Sequence, residues 1–231
     1  MDLESISSES INKEIAYLLG VYLTDGYLGK DNSFSLQVID KDFAEQTLSC
    51  IKKLIPPCIA NVYIRTKCVG WSKKQQYCLH AKFSEFADFF RKQTGNKSCV
   101  PYVLWDASWQ IKKWFIAGIM DGDGYISFNN ERIKKNGLQY LPGMYKIGLG
   151  KSESGWILDF RLFLQSNGVD VGKIQRTLTK NNIPFINFYF TQHSFIESGL
   201  FFTLKRKQNR VKKLIDARSE TKGSASHGMK I

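Results

Sequence analysis

Histidine is scarce in this chain, and neither histidine nor cysteine is spaced for metal binding. The three His (His80, His193, His227) are too scattered for an H-E-x-x-H site. The five Cys (Cys50, Cys58, Cys68, Cys78, Cys99) contain no C-x-x-C pair and are odd in number. That argues against a structural zinc site or a disulfide framework and for reduced thiols. Any metal must then be held by carboxylates, which favours a hard ion, Mg²⁺ or Mn²⁺. Long apolar runs are also missing. Ile15–Leu23 and Trp114–Met120 fall well short of the roughly 20 residues that span a bilayer. The first ten residues are polar, with no basic end before an apolar run, so no secretory signal is expected. The expected setting is intracellular: cytoplasm, or the matrix of an organelle that encodes the chain. Acidic residues are in short supply, 21 against 33 Lys and Arg, which leaves a formal charge of +12 over 231 residues. Such an excess points to an anionic partner, nucleic acid first. Apolar material is plentiful at 43%, which excludes a disordered tail and allows one large domain or two small ones.

The chain repeats itself. Leu18–Gly26 (LLGVYLTDG) and Ile116–Gly124 (IAGIMDGDG), 98 residues apart, match at Gly20/Gly118, Asp25/Asp123 and Gly26/Gly124, and Tyr27/Tyr125 follows. Downstream, an offset of 111 sets Asp42 against Glu153 and Arg65-Thr66 against Arg176-Thr177. The extra residues lie around 129–141. A tandem duplication follows, with halves at 1–105 and 106–231. Each half reads as helix, strands, helix, strands, helix. Ser10 and Ser108 are expected N-caps of the two repeated helices, and Gly26 and Gly124 left-handed helix stops. Strands of period two follow: Phe34, Leu36 and Val38 face one way, as do Ile186, Phe188 and Phe190. Residues 42–54 and 154–166 have the spacing of amphipathic helices that cover the buried sheet faces.

The repeated helices carry small residues four apart, Gly20 and Thr24 in one and Gly118 and Gly122 in the other. Small residues on one stripe let two helix backbones approach closely, here about a pseudo-twofold axis. Asp25 and Asp123 then emerge side by side at the C-terminal, unfavourable ends of two helix dipoles. A divalent cation relieves that repulsion, and metals between carboxylates and phosphate oxygens promote phosphodiester cleavage. Asp121 lies about 200° around the helix from Asp123, at 100° per residue, and is not expected to be a ligand.

Both segments resemble the dodecapeptide motif of the LAGLIDADG homing endonucleases, and the duplicated chain is similar to the monomeric, two-motif members. The likeness extends over most of residues 8–215. It implies an α+β fold with two αββαββα halves whose antiparallel sheets form a saddle over the DNA major groove. It also implies Mg²⁺-dependent cutting of both strands of a long, asymmetric site, as in intron homing, with Asp25 and Asp123 binding metal. Leu23 and Thr24 depart from the motif, while its last acidic position is kept. By the same resemblance, Lys97 and Lys205 are expected beside the scissile phosphates, where a Lys stabilises phosphate charge or orients the attacking water. Asp40 and Lys151 match a polar position near the metals, although they differ in charge.

Polar strand faces suit base-edge readout. The candidates for DNA contact are Ser33, Ser35, Gln37, Arg65, Lys67, Lys73, Lys74, Gln75, Arg176, Thr179, Asn187 and Tyr189. Arg65 and Arg176 recur in both halves and suit a shared phosphate role. Residues 205–230 hold nine Lys and Arg against two acids and add non-specific phosphate attraction, with a Gly/Ser-rich, flexible end. Two other functions compete with DNA cleavage: an intron maturase that binds RNA, and a DNA-binding regulator without catalysis. Retention of both Asp argues against the last. The chain begins with Met and shows no flanking splicing residues, so it reads as freestanding rather than set within an intein.

Overall fold

The computed structural model describes residues 6–55, 60–65, 74–82, 84–129, 144–152 and 155–225. Lys67, Lys73, Cys58 and Cys68 lie outside them. Among the described residues the order is α1 (Lys13–Leu23), β1 (Gly26–Leu28), β2 (Ser33–Val38), α2 (Lys41–Leu54), β3 (Ala60–Arg65), β4 (Gln76–Lys82) and α3 (Ser84–Thr94). The second set is α4 (Trp109–Gly122), β5 (Gly124–Asn129), β6 (Met144–Ser152), α5 (Gly155–Ser166), β7 (Gln175–Leu178), β8 (Pro184–Phe190) and α6 (Gln192–Glu197), followed by α7 (Lys205–Ala225). The architecture is α+β, and the second set carries one helix more than αββαββα. The basic C-terminal stretch is helical through Ala225, and residues 226–231 of its Gly/Ser-rich end lie outside the described residues.

Two antiparallel four-stranded sheets form, β1-β2-β4-β3 and β5-β6-β8-β7. Phe34, Leu36 and Leu79 in one, and Leu149, Ile186 and Phe188 in the other, bury one face of each sheet. α1 is apolar all round because it is enclosed on every side: each residue from Ile15 to Leu23 is buried. Asn32 and Asn182, with φ of 61° and 58°, turn the β1–β2 and β7–β8 hairpins, a conformation short polar side chains tolerate. No described helix is long and apolar enough to cross a membrane. Cys50, Cys78 and Cys99 are free thiols.

Three local expectations are corrected. The cap of α1 is Asn12, whose carboxamide accepts from the Ile15 N–H at 2.9 Å, while the Ser10 hydroxyl closes a turn with Ser7. Ser108 does sit at the N-cap of α4, though its side chain makes no capping bond. Gly26 and Gly124 are not left-handed; the described positive-φ glycines are Gly95, Gly168 and Gly199. They are needed for contact instead. A Cβ at Gly26 would fall 2.9 Å from Tyr22 Cα, and one at Gly124 2.4 Å from the Met120 carbonyl.

The third correction is register. Gly26, Leu36 and Leu79 share one rung of the first sheet, and Gly124, Leu149 and Phe188 share the matching rung of the second. Counted from these rungs, Arg65 opposite Gln76 corresponds to Thr177 opposite Phe185. Arg176 lies opposite the buried Ile186 and corresponds to Ile64. A shift of one residue changes the face, so the two arginines are not equivalents.

Candidate active site

α1 and α4 touch backbone to backbone. A Cβ on Gly20 would come 2.3 Å from the Phe115 carbonyl, and one on Gly118 2.3 Å from that of Tyr17. At the C-terminal ends the contact continues, since a Cβ on Gly122 would meet Thr24 Oγ1 at 2.3 Å and Asp25 Oδ2 at 3.1 Å. The Asp25 carboxylate is thus lodged against the residue that precedes Asp123. The Thr24 hydroxyl turns back to the Gly20 and Val21 carbonyls, at 3.2 and 3.1 Å. Asp25 is exposed, whereas Asp123 Oδ2 is closed off from solvent.

Each helix end is closed by a lysine from later in its own half. Lys97 Nζ donates to the Gly26 carbonyl at 2.5 Å and stands 4.9 Å over the Tyr22 ring. Three consecutive left-handed residues, Gly95, Asn96 and Lys97 (φ 51°, 55° and 69°), bring it there. Such a run costs free energy, and it is held by Asn96 N–H to Arg91 O at 3.0 Å and Ser98 N–H to Thr94 O at 2.8 Å.

In the second half the corresponding side chain is Lys207, not Lys205. Lys207 is 4% exposed and donates to the carbonyls of Met120 (2.8 Å), Asp121 (2.7 Å) and Gly124 (2.6 Å). Burial pulls its pKa down to about 8. Lys205 is exposed at the start of α7, where its N–H donates to the Asp42 carboxylate at 3.0 Å. At the first turn of a helix, residues two apart point to different sides, and only the later one faces α4.

Asp121 points away from the site, buried at 2% exposure. It accepts from the Tyr17 hydroxyl at 2.9 Å, from Thr203 N–H at 3.1 Å and from Leu204 N–H at 3.3 Å, as well as from the Thr203 hydroxyl. Burial raises its pKa to about 6. Asp121 therefore fastens the segment leading into α7, and so places Lys207. Beside the site, Arg206 makes a two-pronged pair with Asp40 at 2.6 and 2.7 Å, which holds the Asp40 carboxyl below the usual carboxylate range. The side chain of Lys151 lies outside the description.

The donor set, two carboxylates at the C-terminal ends of adjoining helices, suits a hard divalent ion that shares its remaining positions with water and phosphate oxygens. Among the described residues no cluster of three or more His, Cys, Asp or Glu forms a denser alternative.

The sheet faces opposite the core divide the remaining candidates. On the first, Ser35 meets His80 at 3.2 Å, Arg65 donates to Gln37 at 3.1 Å, and Gln37 donates to Gln76. Lys74 and Gln75 lie exposed just before β4. Ser33 is buried, its hydroxyl tied to Asp31 at 2.7 Å in the hairpin. On the second sheet Asn187 and Tyr189 share the outer face, Arg176 stands on the core side, and Thr179 closes the β7–β8 turn with Ile183 at 2.9 Å. His80 and Gln76 also belong to the outer face of the first sheet, since strict alternation from Cys78 places them there.

This duplicated arrangement, with paired motif helices and two antiparallel sheets, is the fold of the LAGLIDADG homing endonucleases. It is similar to the homing endonuclease I-WcaI bound to its DNA recognition sequence (TM-score 0.54, 15% identity, 85% of each chain). It is also similar to I-DmoI in complex with its target DNA in the presence of magnesium (TM-score 0.50, 13% identity, 80% of this chain and 94% of that one). Full-length WhiA from Thermatoga maritima aligns with a TM-score of 0.55 at 16% identity, over 94% of this chain and 64% of that one. In sequence, the chain is 21% identical over 210 residues to the ATP-dependent DNA helicase Hel308 of Thermococcus kodakarensis. That match takes in 87% of the chain but spans only 17% of the helicase. No protein-family model matches the chain.

Proposed function

We propose that the chain is a site-specific DNA endonuclease that hydrolyses both strands of a long, asymmetric duplex, acting as a monomer of two halves, 1–105 and 106–231. One observation supports this reading: Asp25 lies against Gly122, at the joined ends of α1 and α4, so the two motif acids stand at adjoining helix ends, each end closed by a lysine. A structural pair of helices has no use for carboxylates at both negative dipole ends.

Asp25 and Asp123 would hold Mg²⁺ or Mn²⁺, which supplies charge neutralisation for a phosphodiester and activation of water. Lys97 and Lys207 fix the helix ends and add positive charge beside the carboxylates. That charge favours a phosphate over the repulsion that two acids alone would present. Asp40 restrains Arg206 at the rim, where it meets an incoming phosphate with its orientation already set. The polar outer face of the first sheet suits base edges in the major groove.

The test is selection of duplexes by the full chain from a randomised library, followed by incubation with Mg²⁺. Cleavage of both strands is expected, stopped by chelation, and lost in Asp25→Asn and Asp123→Asn while binding persists. A duplex bound tightly but left intact with Mg²⁺ would replace this reading with that of a DNA-binding regulator. Preference for folded intron RNA, with rescue of splicing, would replace it with that of a maturase.

A further inference from the structure

The two sheets carry different chemistry at the same rungs. In the first sheet the outer face of β2 presents Ser35 and Gln37, opposite His80 and Cys78 of β4. In the second sheet the matching positions of β6 are Gly148 and Gly150, opposite Tyr189 and Asn187 of β8. Glycine there is not incidental. A Cβ on Gly148 would fall 2.9 Å from Tyr125 Cζ, and one on Gly150 2.7 Å from Phe185 Cζ. The missing side chains leave room for two rings to lie down across the strand.

The counterpart of Tyr125 is Tyr27, which stands opposite Ser35 and is 62% exposed. Ser35 fills the space that Gly148 leaves open, so Tyr27 projects while Tyr125 reclines. Tyr125 and Tyr189 meet edge to face, their ring centroids 6.2 Å apart. Asn187, between Phe185 and Tyr189, has its Oδ1 buried with no hydrogen-bond partner. Ring surface therefore covers the middle of this face, while Gln175 and Thr177 stand exposed along its β7 edge, opposite Asn187 and Phe185. The patch begins at Tyr125, two residues after Asp123, and is continuous with the candidate active site.

Resting on the endonuclease reading, we infer that the β5, β6 and β8 strands of the second sheet read their part of the half-site by apolar contact, chiefly with thymine 5-methyl groups, through Tyr125, Phe185 and Tyr189. The first sheet reads its half-site by hydrogen bonds through Ser35, Gln37, His80 and Gln76. The major groove offers both signals, since thymine alone presents a methyl there. Charge complementarity between this basic chain and DNA selects the duplex as the occupant.

Deoxyuridine keeps every hydrogen-bonding group of thymidine and lacks the methyl, which isolates the effect. Duplexes recovered by the full chain from a randomised library are remade with deoxyuridine for thymidine in one half-site at a time. The half-site under the second sheet is identified with 5-iododeoxyuridine, by peptide mapping of photocrosslinks to Tyr125, Phe185 or Tyr189. Binding there should weaken about fourfold for each buried methyl removed, with little change from the same replacement in the other half-site. Phe185→Gln together with Tyr189→His, which transfers the first sheet's chemistry, should erase the deoxyuridine effect. If that variant does not fold, the wild-type comparison still decides.

Equal sensitivity in both half-sites, no sensitivity, or absence of thymine from the crosslinked half would overturn the inference. A duplex that is read in this way yet stays intact with Mg²⁺ would overturn the endonuclease reading and leave the inference standing. Recovery of no duplex at all would remove both.

Discussion

The Lys207 ammonium stands 2.6 Å from the carbonyl of Gly124, and the same side chain closes the carbonyls of Met120 and Asp121. A cation is thereby buried at the negative end of α4, beside the candidate metal ligand Asp123.

Lys207→Met should lower the cleavage rate about 100-fold, on the scale of losing one preorganised electrostatic group. Lys205→Ala should leave the rate near wild type, because that side chain is exposed and turned from α4. Single-turnover cleavage at saturating protein separates the two. The opposite ranking would show that position along the chain, not burial against α4, decides which lysine matters.

Gly20→Ala or Gly118→Ala should destabilise the protein by about 3 kcal/mol or more, since the new Cβ meets backbone that cannot rotate aside. Urea denaturation measures this. A loss under about 1 kcal/mol, the size of a simple helix-propensity effect, would show that α1 and α4 separate easily.

The Asp40–Arg206 pair should contribute about 1 kcal/mol after solvent screening. Its pH dependence has a definite sign. Arg206 lowers the Asp40 pKa in the folded state, so the contribution is present above the ordinary aspartate range and is lost as pH falls through the lowered value. Stability against pH should therefore show a shallower acid limb in Arg206→Gln. Identical limbs would mean that the pair does not persist in solution.

Asp121→Ala should cost about 3 kcal/mol, because the Tyr17 and Thr203 hydroxyls and the N–H groups of Thr203 and Leu204 lose their acceptor. Tyr17→Phe removes one donor and should cost about 1 kcal/mol. Thermal or urea unfolding distinguishes these sizes, and equal losses would argue that the Tyr17 hydroxyl bond, not the bonds to Thr203 and Leu204, accounts for the contribution of Asp121.

How much could be read from the residues follows from what each pattern encodes. Gly20, Gly118 and the Asp-Gly pairs carry their meaning locally, by size and helical spacing, and these residues come together at the α1–α4 contact. The strand alternation of Phe34, Leu36 and Val38 likewise needs only a period of two. Lys207 was hidden because Lys205, Arg206 and Lys207 are adjacent cations, and only the azimuth of α7 against α4 selects one. Arg65 and Arg176 misled for a related reason: the loops of the halves differ in length, so no constant offset survives the whole chain. Along a strand, one residue of drift inverts the face. The aromatic covering of the second sheet depended on Gly148 and Gly150 meeting rings from other strands, which a linear pattern does not display.

The carboxylates that reach between the halves bear on how such a protein can be rebuilt. Asp42 of α2 accepts from the N–H of Lys205, and Asp159 of α5 accepts from the N–H of Val100 at 2.6 Å. Each repeat thus supplies an acceptor to the segment that carries the other repeat's lysine. Chimeras that exchange one repeat for a foreign one, to graft a new recognition half-site, would have to bring the matching acid with them. Without it, the graft would loosen the lysine of the half left untouched.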